Sequence, residues 1–164
     1  MSRLLLVPVR ARAFRFLLAL GGALVLAQPA FAAGTAKPVI ATARGQIVAQ
    51  TFCSPTEVCQ TTIVQGQATQ LGSFVGVLNE RVDVTNGTYT GTATFTTTLG
   101  DSISTEYTGN VTPPDPQGRV VFTEHHQVVS GTGRFVNAEG FLDVLGTANA
   151  TGQILIVGVG SLSR

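Results

Sequence analysis

From Thr88 to Thr98 threonine stands at every second position, and the intervening places hold Tyr89, Gly91, Ala93, Phe95 and, after one irregularity at Thr97, Leu99. A period of two sends successive side chains to opposite faces of a strand. The run therefore predicts a half-buried strand with a threonine outer face and with Tyr89, Gly91, Ala93, Phe95 and Leu99 turned inward. Asn86-Gly87 before it signals a hairpin, and Leu99-Gly100-Asp101-Ser102 after it signals another turn. Nowhere after Gly34 does the apolar spacing of an amphipathic helix occur.

Extending the same reading in both directions predicts eight strands: 39–52, 60–70, 73–84, 88–98, 102–112, 119–130, 135–148 and 153–162. Their separators are rich in turn residues, among them Gly72, Pro113-Pro-Asp-Pro-Gln-Gly118, Gly131-Thr-Gly133 and Asn149-Ala-Thr-Gly152. Connections this short join antiparallel neighbours, which makes the topology a meander. A long meander must protect its edge strands, and closure into a barrel removes them. The expected fold is all-β, a closed eight-stranded antiparallel meander barrel. Its interior is either filled by side chains or holds one small guest.

The first 32 residues read as something other than fold. Arg3, Arg10, Arg12 and Arg15 form a basic head, the apolar run 16–27 follows, and Ala30-Phe31-Ala32 supplies a small-residue cleavage site. These are the three parts of a secretory signal peptide, with cleavage expected after Ala32. The apolar run falls short of the roughly 20 residues that a membrane-spanning helix needs. Residues 33–44 then read as an N-terminal extension and 45–164 as the single barrel domain, in a secreted or periplasmic protein. An intact mass on exported protein checks the cleavage; full-length chain there would contradict it.

After cleavage six basic residues face nine acidic ones, a formal charge of −3. No basic patch exists to attract nucleic acid or an anionic membrane. An outer-membrane barrel would carry aromatic girdles, whereas this chain has no Trp and only Tyr89 and Tyr107. The expected state after cleavage is thus not membrane-embedded, and the oligomeric state is open. Cys53 and Cys59 flank a Ser-Pro turn and would meet an oxidising compartment, so they read as a structural disulfide. Closing so short a loop contributes about 2 kcal/mol. Asn86, Asn110 and Asn149 head N-glycosylation sequons, relevant only in a host that glycosylates exports.

The most distinctive segment is Val128-Val-Ser-Gly131-Thr-Gly-Arg-Phe135-Val-Asn-Ala-Glu-Gly140. Gly131 and Gly133 suit a tight turn, Phe135 is expected to begin the next strand after Arg134, and Gly140 suits a bulge. The segment resembles the Gly-Thr-Gly-Arg/Lys-Phe motif of the allene oxide cyclase and dirigent-like barrels. The likeness is closest to small bacterial secreted proteins of that group. A second segment, Gly66-Gln-Ala-Thr-Gln-Leu-Gly-Ser-Phe74, is similar to another of theirs, and Thr151-Gly152…Gly160-Ser161 loosely matches a terminal pattern. The resemblance implies an eight-stranded barrel with an interior cavity. In that family the barrel interior hosts oxylipin cyclisation or directs phenoxy radical coupling. The matching segments are turns and strand starts, so they transfer no catalytic residue, and the catalytic residues are left unknown.

Two features could carry chemistry. Phe122-Thr-Glu-His-His-Gln127 is the one cluster of ionisable groups within a strand. If Phe122 faces inward, so do Glu124 and His126, a pair able to act as general acid and base. In the opposite register the pair is solvated at the rim, and sequence fixes strand register weakly. A metal site would need a third ligand, and only His125 and His126 supply imidazoles, so no metal or other cofactor is expected. The threonine row also suits an ice-binding surface, yet one strand of a twisted barrel is not a flat array, and β propensity alone accounts for it.

Gly76, Gly91, Ala93, Gly109, Ala138, Gly140, Gly146 and Gly158 are small residues at expected inward positions. Phe74, Tyr89, Phe95, Tyr107 and Phe122 either fill the space these leave or border a cavity. The expected function is binding of a small apolar ligand, with Glu124, His126 and Tyr107 as its polar contacts, or a structural role. The alternative is a cofactor-free cyclase or isomerase acting inside the barrel.

Overall fold

The computed structural model describes residues 34–164, so the expected signal peptide lies outside the described residues. The elements are β1 (Lys37–Ser54), β2 (Glu57–Ala68), β3 (Gly72–Asp83), β4 (Thr88–Thr97), β5 (Ser102–Val111), β6 (Val120–Gly131), a 3-10 turn (Gly133–Phe135), β7 (Glu139–Ala148) and β8 (Gln153–Ser163). Each strand pairs antiparallel with the next, and β1 pairs with β8 to close the barrel. That closing seam runs from Lys37 opposite Leu162 to Gln46 opposite Gln153. Residues 37–44 are therefore barrel wall, together with 45–164. Among the described residues no helix is long and apolar enough to cross a membrane.

The meander sorts its connections onto two rims. The turns after β1, β3, β5 and β7 form the upper rim. Those after β2, β4 and β6, with Gly34 and the C-terminus, form the lower. At the upper rim the disulfide joins Cys53 to Cys59, Cα atoms 5.6 Å apart, across the β1–β2 hairpin. The β3–β4 turn is held by two short polar side chains. Asp83 Oδ1 accepts from Thr85 N at 2.8 Å and Asn86 Oδ1 from Thr88 N at 2.8 Å, while Gly87 takes φ +72°. Asp and Asn accept such local bonds readily, and glycine alone adopts that φ without strain.

Outward threonines on β4 are exposed, as the alternation predicts, with one correction at its end. Thr97, 5 % exposed, holds the last inward place. Leu99 is not inward: it lies in the β4–β5 turn, where Gly100 N donates to Thr97 O. Elsewhere the outer wall is aliphatic: Leu155, Val157 and Val159 of β8 lie outward beside Ile40 and Leu145.

Most of the inward glycines are not empty space. They are slots for rings from a neighbouring strand: Tyr107 lies over Gly91, Tyr89 over Gly109, Phe122 over Gly146 and Phe95 over Gly76. A Cβ on Gly91 would stand 2.5 Å from Tyr107 Cζ, so the ring position requires glycine there. Each large apolar side chain buried this way contributes about 1.5–3 kcal/mol. Gly140 likewise faces backbone, that of Ser161, and leaves no room for a guest.

The Gly-Thr-Gly-Arg-Phe segment takes a shape different from the one expected. Phe135 does not begin a strand; it ends a 3-10 turn, and β7 starts only at Glu139. The cause is local hydrogen bonding: Phe135 N donates to Thr132 O and Ala138 N to Phe135 O, with Asn137 at φ +61°. The turn ties the lower rim together. Thr132 Oγ1 accepts from Ser102 N, Arg134 pairs with Asp101 at 3.3 Å, and Arg134 also donates to Leu71 O at 2.7 Å. These contacts seat Phe135 fully out of solvent.

Candidate functional site

Strand β6 enters with Phe122 inward, and the period of two then brings Glu124 and His126 into the barrel. Of the two registers open to the sequence, the buried one holds. His125 instead points outward, with its Nδ1 2.6 Å from Asp143 Oδ1 on an exposed surface. Inside, His126 Nε2 lies 2.9 Å from Glu124 Oε2, and His126 Nδ1 lies 2.9 Å from Thr105 Oγ1. Tyr89 donates its hydroxyl to Glu124 Oε1 at 3.0 Å. Tyr107 stacks on the imidazole, ring centroids 4.3 Å apart and planes 21° apart. The three residues expected at a ligand site, Glu124, His126 and Tyr107, thus belong to one buried network.

A further carboxyl, which the sequence reading passed over, joins them. Glu80 of β3 stands opposite Gln60 on β2 and Gly91 on β4, and accepts from the Gln60 amide at 3.0 Å. Its side chain is half-buried. Burial raises its pKa from 4.5 to about 7; the Gln60 bond opposes the rise, and the negative charge of Glu124 adds to it. The same β3 alternation that puts Phe74, Gly76 and Leu78 inside puts Glu80 there too. Its signal was present, masked by Val75 and Val77 on the opposite face, which make the strand apolar on both sides.

Tyr107 OH and Thr62 Oγ1 are both buried without a well-formed hydrogen bond, as is Thr97 Oγ1 further down the barrel, but the first two lie close enough to the Glu80 carboxyl to favour its ionised form. Burial and the nearby carboxylates push both tyrosine phenols well above their ordinary pKa. They remain hydrogen-bond donors across the physiological range.

Above this network lies a cavity of about 530 Å³. Its floor is Gln60, Thr62, Glu80, Tyr89 and Glu124. Its walls include Leu78, Val82, Phe122, Ile154 and Ile156, and it reaches the upper rim at Gly118 and residues 149–152. Among the described residues no Lys or Arg lines it. Glu124 therefore borders this cavity directly, whereas His126 faces a separate apolar void of about 60 Å³ in the lower half. Tyr107 backs the floor through its contact with the Glu80 region. Three larger hollows lie elsewhere: two are troughs on the outer wall, one bordered by Arg44, Gln65, Val75 and Leu155 and the other by Thr61, Arg81, Thr92 and His125, and a third of about 620 Å³ is bordered by Arg44, Arg119, Asn149 and Gln153.

The arrangement offers apolar walls, a floor with two carboxyls and several neutral donors, and an opening at the upper rim. Among the described residues no three His, Cys, Asp or Glu side chains gather in a metal-holding group. Compared with known proteins, the chain matches no family model, no curated protein and no solved structure.

Proposed function

We propose that this is an exported barrel protein that holds one small, largely apolar molecule in its upper cavity, with the polar end of the guest on the Glu80–Glu124 floor. The observation that carries this reading is the unpartnered Thr62 hydroxyl, 1 % exposed and bordering the cavity. Packing alone gives no reason to gather two carboxyls and this hydroxyl inside an apolar-walled cavity. The volume lies within the range of small-molecule pockets, and apolar walls with a few convergent polar groups are their usual make-up. Export rests on the signal-like leader and the disulfide, which suits an oxidising compartment. Kinship with the allene oxide cyclase and dirigent-like barrels remains part of the proposal, supported by the two sequence segments and compatible with the barrel.

A second reading, catalysis of a cyclisation or isomerisation without a cofactor, is favoured by Glu80. A carboxyl with a pKa of about 7 is suited to exchange protons near neutrality, and it borders the same cavity.

The binding reading is tested with Nile red, a neutral dye whose emission rises in apolar surroundings. Wild type is expected to bind it saturably. Ala148→Trp, which projects an indole into the cavity, should weaken binding by about tenfold or more. The chain has no other Trp, so blue-shifted indole emission verifies that the new side chain is buried. Equal dye binding by the two proteins, or none by wild type, would remove the reading.

A further inference from the structure

The charge around the cavity narrows the class of guest. Among the described residues every ionisable group bordering it is acidic or phenolic: Glu80, Glu124 and Tyr89. The guanidinium nearest to Glu80 in sequence, Arg81, points outward and pairs with Glu57 at 3.4 Å. A carboxylate guest would bring a third carboxyl to a floor that already holds two, with no cation among the described lining residues to meet it. A guest that ends in a cation meets the opposite situation. Two carboxyls lie at the closed end, the Tyr89 ring supplies an aromatic face, and the aliphatic walls cover the remainder of the molecule.

Resting on the reading that the cavity binds a guest, we infer that its ligand class is a primary amine carried on an apolar or aromatic body, with the ammonium seated between Glu80 and Glu124. An ammonium carries three donors and no acceptor. Two of them meet the carboxyls and the third meets Thr62 Oγ1, whose hydroxyl then acts as an acceptor and loses its unpartnered state. The indole or alkyl body extends toward the upper rim past Phe122 and Ile154.

Proton linkage follows from the groups around Glu80. From β2 it faces Gln60 and Thr62, from β4 Tyr89, from β5 Tyr107, and from β6 Glu124 with His126 behind it. None of these supplies a permanent positive charge. Burial keeps the Glu80 proton on up to about pH 7, and an arriving ammonium displaces it. Amine affinity should therefore rise with pH through neutrality, while affinity for a neutral guest stays level.

Calorimetric titration with tryptamine, tryptophol and indoleacetate tests this on one scaffold of three charges. At pH 8 tryptamine should bind about tenfold or more tightly than tryptophol, and indoleacetate more weakly than either. Between pH 8 and pH 5.5 the tryptamine affinity should fall about tenfold, with proton release on binding seen as a buffer-dependent heat. Glu80→Gln, checked for a retained fold by its circular dichroism spectrum, should lose both the amine preference and the pH dependence, so that tryptamine binds it no more tightly than tryptophol does at either pH. Equal binding of tryptamine and tryptophol, a preference for indoleacetate, or a pH dependence that survives in Glu80→Gln overturns the amine class. If Nile red still binds in those cases, the cavity reading stands alone. If neither the dye nor any indole binds, both fall.

Discussion

Phe135→Ala is expected to lower the unfolding free energy by about 3–5 kcal/mol, the usual loss for emptying a buried phenylalanine site. Phe135 is 0 % exposed and sits where the 3-10 turn folds under the lower rim. The guanidinium carbons of Arg134 and Arg164 lie 4.9 and 5.5 Å from its ring centroid, so the ring also anchors two cationic side chains. The surrounding rim cannot easily collapse into the space. Gly131 is already in close contact with the Phe135 backbone, and Arg134 is fixed by Asp101 and Leu71. Domains of this size are stable by only about 5–15 kcal/mol, so the variant should unfold at far lower urea than wild type. Arg134→Ala removes a partly exposed ion pair and should cost much less, about 1 kcal/mol. Equal losses for the two variants in urea denaturation would mean that the ring is not what holds the lower rim.

That prediction gives the Gly-Thr-Gly-Arg-Phe segment a structural task. Its glycines, its Arg and its Phe close one end of the barrel, and the cavity opens at the other. The distinctive motif and the site with chemical character therefore lie at opposite ends of the molecule. The site resides in residues that a motif search passes over: one carboxyl on β3, two on-axis polar side chains on β6, and hydroxyls on β2, β4 and β5.

What the sequence made legible was whatever follows from a period of two. Alternation in 88–98 predicted the β4 wall, and turn chemistry at Asn86-Gly87 and Asn149-Ala-Thr-Gly152 located the reversals. Eight strands with short connections led to closure. Leu99 was misplaced because alternation continues past the last strand residue only on paper; the turn begins first. Phe135 was taken for a strand start because its competing 3-10 hydrogen bonds depend on the positive φ of Asn137, which composition does not announce. Register on β6 could not be read alone. It is fixed by the pairing of Tyr107 with His126 and of Glu124 with Val144, contacts made with the strands on either side rather than within β6 itself. The inward glycines could be read as small but not as occupied: a ring from a neighbouring strand fills the slot at Gly76, Gly91, Gly109 and Gly146, Leu142 packs at Gly158, and backbone faces Gly140. Glu80 was legible in principle from Phe74, Gly76 and Leu78, and was hidden by the second apolar face of its own strand.

The other large effect expected is in the pH dependence of stability, and Glu80 controls it. In the folded protein its carboxyl titrates at about 7 rather than 4.5, so between those values the native state holds a proton that the unfolded chain has released. Stability must then be highest below about pH 4.5 as far as this group is concerned, and must fall as pH rises through about 7. The span corresponds to about 2–3 kcal/mol, the lower figure allowing for water that reaches a half-buried carboxyl from the cavity. Asp83 and Asp115 act in the other direction and in another window. Hydrogen bonds from Thr85 and from the Arg119 backbone, respectively, hold their pKa values below 3.8, so their contribution is lost only in more acidic solution. Glu80→Gln keeps the size of the side chain and a bond to Gln60 while removing the ionisation. At pH 8 it should be more stable than wild type by about 2 kcal/mol, and at pH 4.5 the two should nearly coincide. Urea denaturation at both values reads the difference directly. A variant that is less stable than wild type at pH 8 would show that the ionised carboxylate is a favourable part of the native network. A constant offset at both pH values would show that Glu80 does not titrate in this range.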